Sequence, residues 1–371
     1  MKLKQLLSLI VLLGLQLNLC AQDPSFSQFY ASRMYLNPAF TGMESGISVA
    51  GVSRMQWISV DRGFRTYGAT VEIQEPFIRS GIGLSLLHSS EGLAQLNTSS
   101  IGLSYAYTIP LRNSNLHIGM QAQWVQKSVN WDNITFSDEL DSVHGKIYTS
   151  TATPVLDRVS FSDFNLGIVY RFNSKLRLKK KTIKNIRTSI GVSLNHAPYL
   201  FNKNGGNESL QNLNTSTTPR LTIHGGTMIP LVFIGSTKKK IAISPNFKFD
   251  VQGDDLLQLK ENLQVFTYGL YLFYEGAYVG AFYQNKQAFS NLRNTNSLIL
   301  AVGAYVKASK SKNKRKFFIG LSYDANTTGL GTRAGGVYEF AFRWNFNTKR
   351  HLFGGGRGSS SKNVLDCNNF F

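Results

Sequence analysis

The sequence predicts an all-β fold: a transmembrane antiparallel barrel of about fourteen strands, with long extracellular loops and short, basic periplasmic turns. Three observations carry this reading. Stretches of about ten residues alternate apolar with small or polar side chains, the period of a strand with one face in lipid. After the first twenty residues no stretch is long and apolar enough for a spanning helix. Charged residues make up only 16% of the 371-residue chain, while aromatics are 12% and there are 33 glycines.

The leader comes first. Lys2 and Lys4 precede an apolar run from Leu6 to Leu17, and Leu19-Cys20-Ala21 offers a cleavage site before Gln22. This is a secretory signal over residues 1–21. Lipidation of Cys20 would need a small residue before it, and Leu19 stands there. After cleavage Cys367 is the one remaining cysteine, so no internal disulfide frames the fold.

A segment over residues 22–44 follows, mixing aromatics, amides and one early acid without strand or helix period. It is too irregular for a strand and too apolar to float in solvent. The expectation is that Phe26 to Phe40 tuck into the periplasmic mouth or the lumen and bury Gln28 and Asn37 in hydrogen bonds.

The barrel is expected over residues 45–346. Tyr67, Ala69, Val71 and Ile73 interleave with Gly68, Thr70, Glu72 and Gln74, and Leu103 to Ile109 repeat the pattern. The last run sets Tyr338, Phe340, Phe342, Trp344 and Phe346 against Glu339, Ala341, Arg343 and Asn345. Strands are expected near 46–56, 64–74, 80–88, 99–109, 115–125, 162–172, 186–196, 219–229, 240–251, 263–274, 277–285, 297–306, 316–324 and 336–346. An even strand number suits a single-chain barrel, and closure pairs every edge group that lipid would leave bare. Pro245, inside the ninth strand, predicts a bulge or a rim position. Residues 347–371 form a cationic, glycine- and serine-rich periplasmic tail.

Parity places the connections. With the mature N-terminus periplasmic, 126–161 and 197–218 are the longest outer loops, while 75–79, 110–114, 173–185, 230–239, 275–276 and 307–315 are inner turns. The net charge of +19 falls mainly on the inner side: Lys179, Lys180, Lys181, Lys238, Lys239, Lys240, Lys312, Lys314, Arg315 and Lys316. Such a distribution is not a nucleic-acid footprint. It suits a girdle on anionic outer-membrane lipids or docking to an acidic periplasmic partner, and its clustering into two of the turns favours the partner.

No catalytic or metal motif stands out. The six histidines form no His-Glu-x-x-His, and no cofactor motif is found. Asp138, Glu139 and Asp141 read as a solvated acidic loop, with calcium binding as the sharper alternative.

The segment "QDPSFSQFYASRMYLNPAFTG" (22–42) and the ending "LSYDANTTGLGTRAGGVYEFAFRWNF" (321–346) resemble the PorP/SprF family of the type IX secretion system. The matching positions are Gln22, Asp23, Pro24, Phe26, Ser27 and Gln28, then Leu36, Asn37, Pro38, Ala39 and Gly42. Toward the end they are Tyr323, Asp324, Gly329, Leu330, Tyr338 and Glu339. "SRMQW" (53–57), "GIGLSLLHSSEGL" (81–93) and "YAYTIPL" (105–111) extend the likeness over nearly all of the mature chain. The chain departs from the family's common Cys-Pro-x-Phe terminus, ending Cys367-Asn368-Asn369-Phe370-Phe371.

The resemblance implies a non-enzymatic outer-membrane barrel of Bacteroidota, part of the secretion and gliding machinery. Some members join a periplasmic ring with peptidoglycan-linked lipoproteins; others hold the C-terminal domain of a secreted surface adhesin. The alternative from a different class is a diffusion channel or small-molecule transporter.

Overall fold

The computed structural model describes residues 23–44, 46–92, 95–131, 134–141, 143–148, 150, 156–178, 181–201, 208, 210, 216–231, 241–258, 262–287, 296–307, 316–327 and 335–346. Fourteen strands close into one antiparallel barrel. They are β1 (Ile47–Gln56), β2 (Phe64–Glu75), β3 (Ser80–Glu91), β4 (Leu96–Pro110), β5 (Ser114–Ser128), β6 (Arg158–Leu178), β7 (Lys181–Asn195), β8 (Arg220–Leu231), β9 (Ile241–Gln252), β10 (Leu263–Tyr274), β11 (Ala277–Lys286), β12 (Asn296–Lys307), β13 (Lys316–Asn326) and β14 (Val337–Phe346). Each strand pairs with its neighbours in sequence, and β1 closes the barrel on β14 from Ile47↔Phe346 to Gln56↔Val337.

The alternation sorts side chains as a lipid-facing barrel requires. Leu103, Met120, Ile168 and Val279 belong to an exposed apolar outer face, while Ser104, Gln121, Val169 and Phe282, each in the same strand as one of them, are buried inside. No helix among the described residues is long and apolar enough to cross a membrane.

The strand ends define two rims. One, the turn rim, holds Ile47, Phe346 and close connections such as Tyr274↔Ala277. There Glu275 and Gly276 both take positive φ (48° and 111°), as a two-residue type I′ hairpin demands. The other, the loop rim, carries the long β5–β6 and β7–β8 connections. A two-residue ladder (Leu140–Asp141 with Gly145–Lys146) lies within the first of these.

Two local expectations are corrected. Residues 173–185 are not simply a turn. β6 runs on to Leu178 and pairs with β7 through Leu176↔Ile183, Arg177↔Thr182 and Leu178↔Lys181, with a register shift between Ser174 and Leu176. Its pairing with β5 ends at Phe172, so the hairpin extends six residues, roughly 20 Å, past that neighbour. The basic run masks a pattern that still alternates, Leu176 and Leu178 against Lys175 and Arg177. Pro245 makes no bulge: β9 keeps one register with β8 on either side of it, from Gly226↔Asn246 to Ile229↔Ile243, and pairs normally with β10. Its missing N–H is accommodated by a gap in the β8 ladder instead.

Candidate functional site

The lumen is filled by the segment that precedes β1. Residues 23–44 run through the barrel as a strap, and their side chains share one apolar cluster with the inner faces of the strands. Phe26, Phe29, Tyr30, Leu36, Ala39, Phe40 and Met43 pack with Val169, Tyr271, Tyr278, Phe282, Ile299 and Phe318. Phe29 meets Phe282 edge-on at 6.0 Å between ring centroids, and Tyr30 meets Phe40 likewise at 6.3 Å.

Polar contacts fix the strap at four levels. At the loop rim, Asp23 lies 2.8 Å from His196 Nε2 and 3.1 Å from Arg220 Nη1. His196 Nδ1 stands 2.9 Å from Asp163, which also accepts from Gln123 at 2.6 Å. Burial alone would push the His196 pKa down. The two carboxylates outweigh it and raise the imidazole to about 10. Burial would also raise Asp23, but His196 and Arg220 hold it well below the usual carboxylate range. The result is a cationic imidazole clasped between two anions.

Below the clasp, the Ser27 and Gln28 amides donate to the two oxygens of Glu339 at 2.7 and 2.8 Å. Ser27 Oγ donates to Asp324, and Arg54 bridges the two carboxylates at 3.3 Å each. Tyr278 donates to Gln28 Oε1 at 2.9 Å. Ser27 and Gln28, from the first motif, thus meet Asp324 and Glu339, from the last.

The middle level is built on Leu36-Asn37-Pro38-Ala39. A single helical turn, α1 (Arg33–Leu36), is followed by a 3₁₀ turn, Pro38–Phe40. Asn37 caps that turn by accepting from the Ala39 amide at 2.9 Å, with Pro38 at the first position, where its missing N–H is harmless. Asn37 Nδ2 donates to the carbonyls of Val192 and Ile168 (3.0 and 3.3 Å) and faces His224. Gly119 and Gly167 lie directly against this turn: a Cβ on Gly119 would collide with the Pro38–Ala39 backbone, and one on Gly167 with Asn37.

Toward the turn rim, Arg33 pairs with Glu44, and Arg343 reaches Glu44 at 3.4 Å and the Tyr30 carbonyl at 3.1 Å. Glu72 accepts from the Gly42 amide at 2.8 Å. Gly42 takes φ +66° against the Cα of Gly81, a position that admits no side chain.

Of the residues singled out in the sequence, Asp23, Phe26, Ser27, Gln28, Asn37, Pro38 and Gly42 lie in the strap, with Pro24 half-buried between its neighbours. Tyr323 meets Tyr338 with the rings tilted by 50° at 4.9 Å between centroids, as a cross-strand pair of β13 and β14. Lys181 and Lys316 begin β7 and β13 at the turn rim. Lys179, Lys180, Lys238, Lys239, Lys240, Lys312, Lys314, Arg315, Gly329 and Leu330 fall outside the described residues, as do the leader and the tail. The acidic loop residues serve their own loop. Glu139 pairs with Lys146 at 2.9 Å, Asp141 accepts from the Val143 and His144 amides, and Asp138 accepts from Ser150.

The sequence reading placed Glu72 and Arg343 on the polar phase of their strands without assigning them partners, and it missed the inner-face charges Arg54, Asp163 and Arg220 and the strap's own Arg33 and Glu44. The available signal was a charged residue at a polar-phase position of a strand, since a charge facing a closed lumen needs a partner there.

A closed antiparallel barrel with a lipid-facing belt and a lumen filled by its own N-terminal strap defines a plugged membrane β-barrel. The family described as type IX secretion system membrane protein PorP/SprF matches residues 18–344, and the chain belongs to it. A membrane protein of a bacterial secretion system that crosses by such a barrel resides in the outer membrane. No curated protein matches the sequence.

Solved structures similar to the chain include the CymD monoaromatic hydrocarbon channel, at 12% identity and a TM-score of 0.40, covering 86% of this chain and 94% of that one. Omp33 of Acinetobacter baumannii is similar at 10% identity and 0.36, covering 83% and 100%. BamA of Haemophilus ducreyi is similar at 11% and 0.37, covering 81% and 70%.

Proposed function

We propose that this protein is a non-enzymatic, non-conducting scaffold of the type IX secretion machinery. The observation that supports this most is the strap. A diffusion channel or transporter needs an open path, whereas here aromatic packing and four levels of polar contact occupy the lumen from rim to rim. With the pore filled, the surfaces left for work are the two rims.

In this reading the turn rim faces the periplasm and docks a ring or lipoprotein component of the machine. The β6–β7 hairpin pairs six residues past the end of β5, and the sequence from 175 to 184 carries six basic residues, which supports docking over a lipid girdle. The long loops on the opposite rim hold the C-terminal domain of a secreted adhesin. Apolar tips there, Val143, Phe201 and Leu257, are more than four-fifths exposed, as suits a protein-binding surface.

Two measurements test the proposal. In planar bilayers the purified barrel is expected to stay silent; large steady openings would favour the channel. Charge reversal at Lys179, Lys180, Lys312 and Lys314 should leave insertion intact and abolish co-purification of the periplasmic partner. Retained partner with altered lipid association would assign the basic clusters to a lipid girdle.

A further inference from the structure

The strap has a direction, and the direction is unexpected for a segment that leads into a strand starting at the turn rim. Its leading residue, Asp23, contacts His196 just after the loop-rim end of β7, Arg220 at the loop-rim start of β8 and Gln252 at the loop-rim end of β9. Ser27 and Gln28 follow on Glu339, two residues inside the loop-rim start of β14. Asn37 lies at mid-barrel against Ile168 and Val192. Gly42 reaches Glu72, close to the turn-rim end of β2, and β1 begins at Ile47 on the turn rim. The path is monotonic. It is not a hairpin tucked in from the periplasmic mouth.

We infer that the strap is threaded through the whole lumen, so that the chain preceding Asp23 leaves the barrel on the loop side and the mature N-terminus is displayed there. The inference rests on contacts of the strap alone and not on the adhesin or docking reading. It has a consequence for processing. Threading carries the leading end across the membrane, which requires the leader to be removed before the barrel closes around the strap. It also makes the N-terminus a neighbour of the β5–β6 and β7–β8 loops, part of whatever surface those loops offer to a partner. The Asp23–His196–Asp163 clasp, half-buried at that mouth, is what holds the leading end in place.

The test compares three chains, each carrying one epitope tag: between Gln22 and Asp23, after Val143 on the loop side, or after Arg112 on the turn side. Antibody binding is read on intact and on permeabilised cells. The inference expects the N-terminal tag to follow the Val143 tag in both conditions, whichever side that proves to be. A tag that follows Arg112 overturns it, and so does one detected only after the barrel is denatured. Because the criterion is which reference tag it follows, reversed sidedness would sink the periplasmic docking reading while leaving threading intact. If the tag displaces the strap, seen as tryptic cleavage at Arg33 in the folded barrel, Gln22→Cys in a Cys367→Ser background gives the same comparison. It is read with a membrane-impermeant maleimide against single cysteines at 143 and 112.

Discussion

Glu339→Ala isolates the strap from the barrel that surrounds it. In the wild type one carboxylate accepts two consecutive strap amides and sits 3.3 Å from Arg54. Truncation leaves the Ser27 and Gln28 N–H groups buried without an acceptor, at about 1–3 kcal/mol each. Arg54 keeps Asp324, so the loss of its second carboxylate adds little. A total of about 2–6 kcal/mol against strap seating raises the displaced population by roughly thirtyfold to twenty-thousandfold, at about 1.4 kcal/mol per decade. Trypsin reads this population directly, because Arg33 is the sole basic residue in 23–44 and is 5% exposed. The wild-type barrel should resist cleavage at Arg33, and the variant should be cut faster by that factor while still migrating as a folded barrel on an unheated gel. Glu339→Gln, which keeps one acceptor, should fall between them. If the folded alanine variant is cut at the wild-type rate, the strap is not held through this carboxylate, and the ordering of contacts given above is wrong.

Gly119→Val should displace the Pro38–Ala39 turn, since the added atoms meet strap backbone and not a flexible side chain; conductance bursts absent from the wild type would report it. Asn37→Ala removes the cap and leaves the Val192 and Ile168 carbonyls without this donor, costing about 2–3 kcal/mol of seating, read as faster cleavage at Arg33. The clasp gives a pH window. His196 is raised to about 10, so its contribution is full below about 6.5 and is lost as pH rises through about 10; Asp23 is depressed, so its contribution is full above about 4 and is lost in acid. Hydrogen exchange in residues 23–28, corrected for the intrinsic rate, should therefore be flat from about pH 5 to 6.5, rise progressively up to about pH 10 and level off above it. His196→Ala should show fast exchange throughout.

The barrel was legible because lipid imposes its pattern on every strand separately. Leu103, Tyr105 and Tyr107 announce β4 without reference to any other part of the chain, and all fourteen strands fall within a few residues of their expected places, apart from the extended β6–β7 hairpin. There the basic run from Lys175 to Lys184 looks like a turn by composition, although its alternation continues. The lumen was far less legible. Arg54 finds Asp324 and Glu339 across 270 and 285 positions, and Asp23 finds His196 across 173. Periodicity shows that such residues face inward but carries no information about which inward residues meet. The strap was visible only as an anomaly, aromatic and amide-rich without a period. The single helical turn α1 is too short for any pattern to reveal.

The contacts of β14 bring the two ends of the chain into one event. Along its outer-phase and inner-phase residues alike it pairs with β1, closing the barrel. From its inner face Glu339 holds Ser27 and Gln28 while Arg343 holds the Tyr30 carbonyl and Glu44. The strap and β1 are contiguous, so seating one positions the other. Closing a loop of this length is expensive in entropy, but the expense grows only with the logarithm of length and is incurred once. A strap already docked on β14 therefore brings β1 to its partner at little further cost, and a seam already zipped confines the strap to the lumen. Neither contact set would be as favourable alone. This explains why the two most recognisable motifs of the sequence, at opposite ends, prove to be two halves of one interface: Ser27 and Gln28 against Asp324 and Glu339.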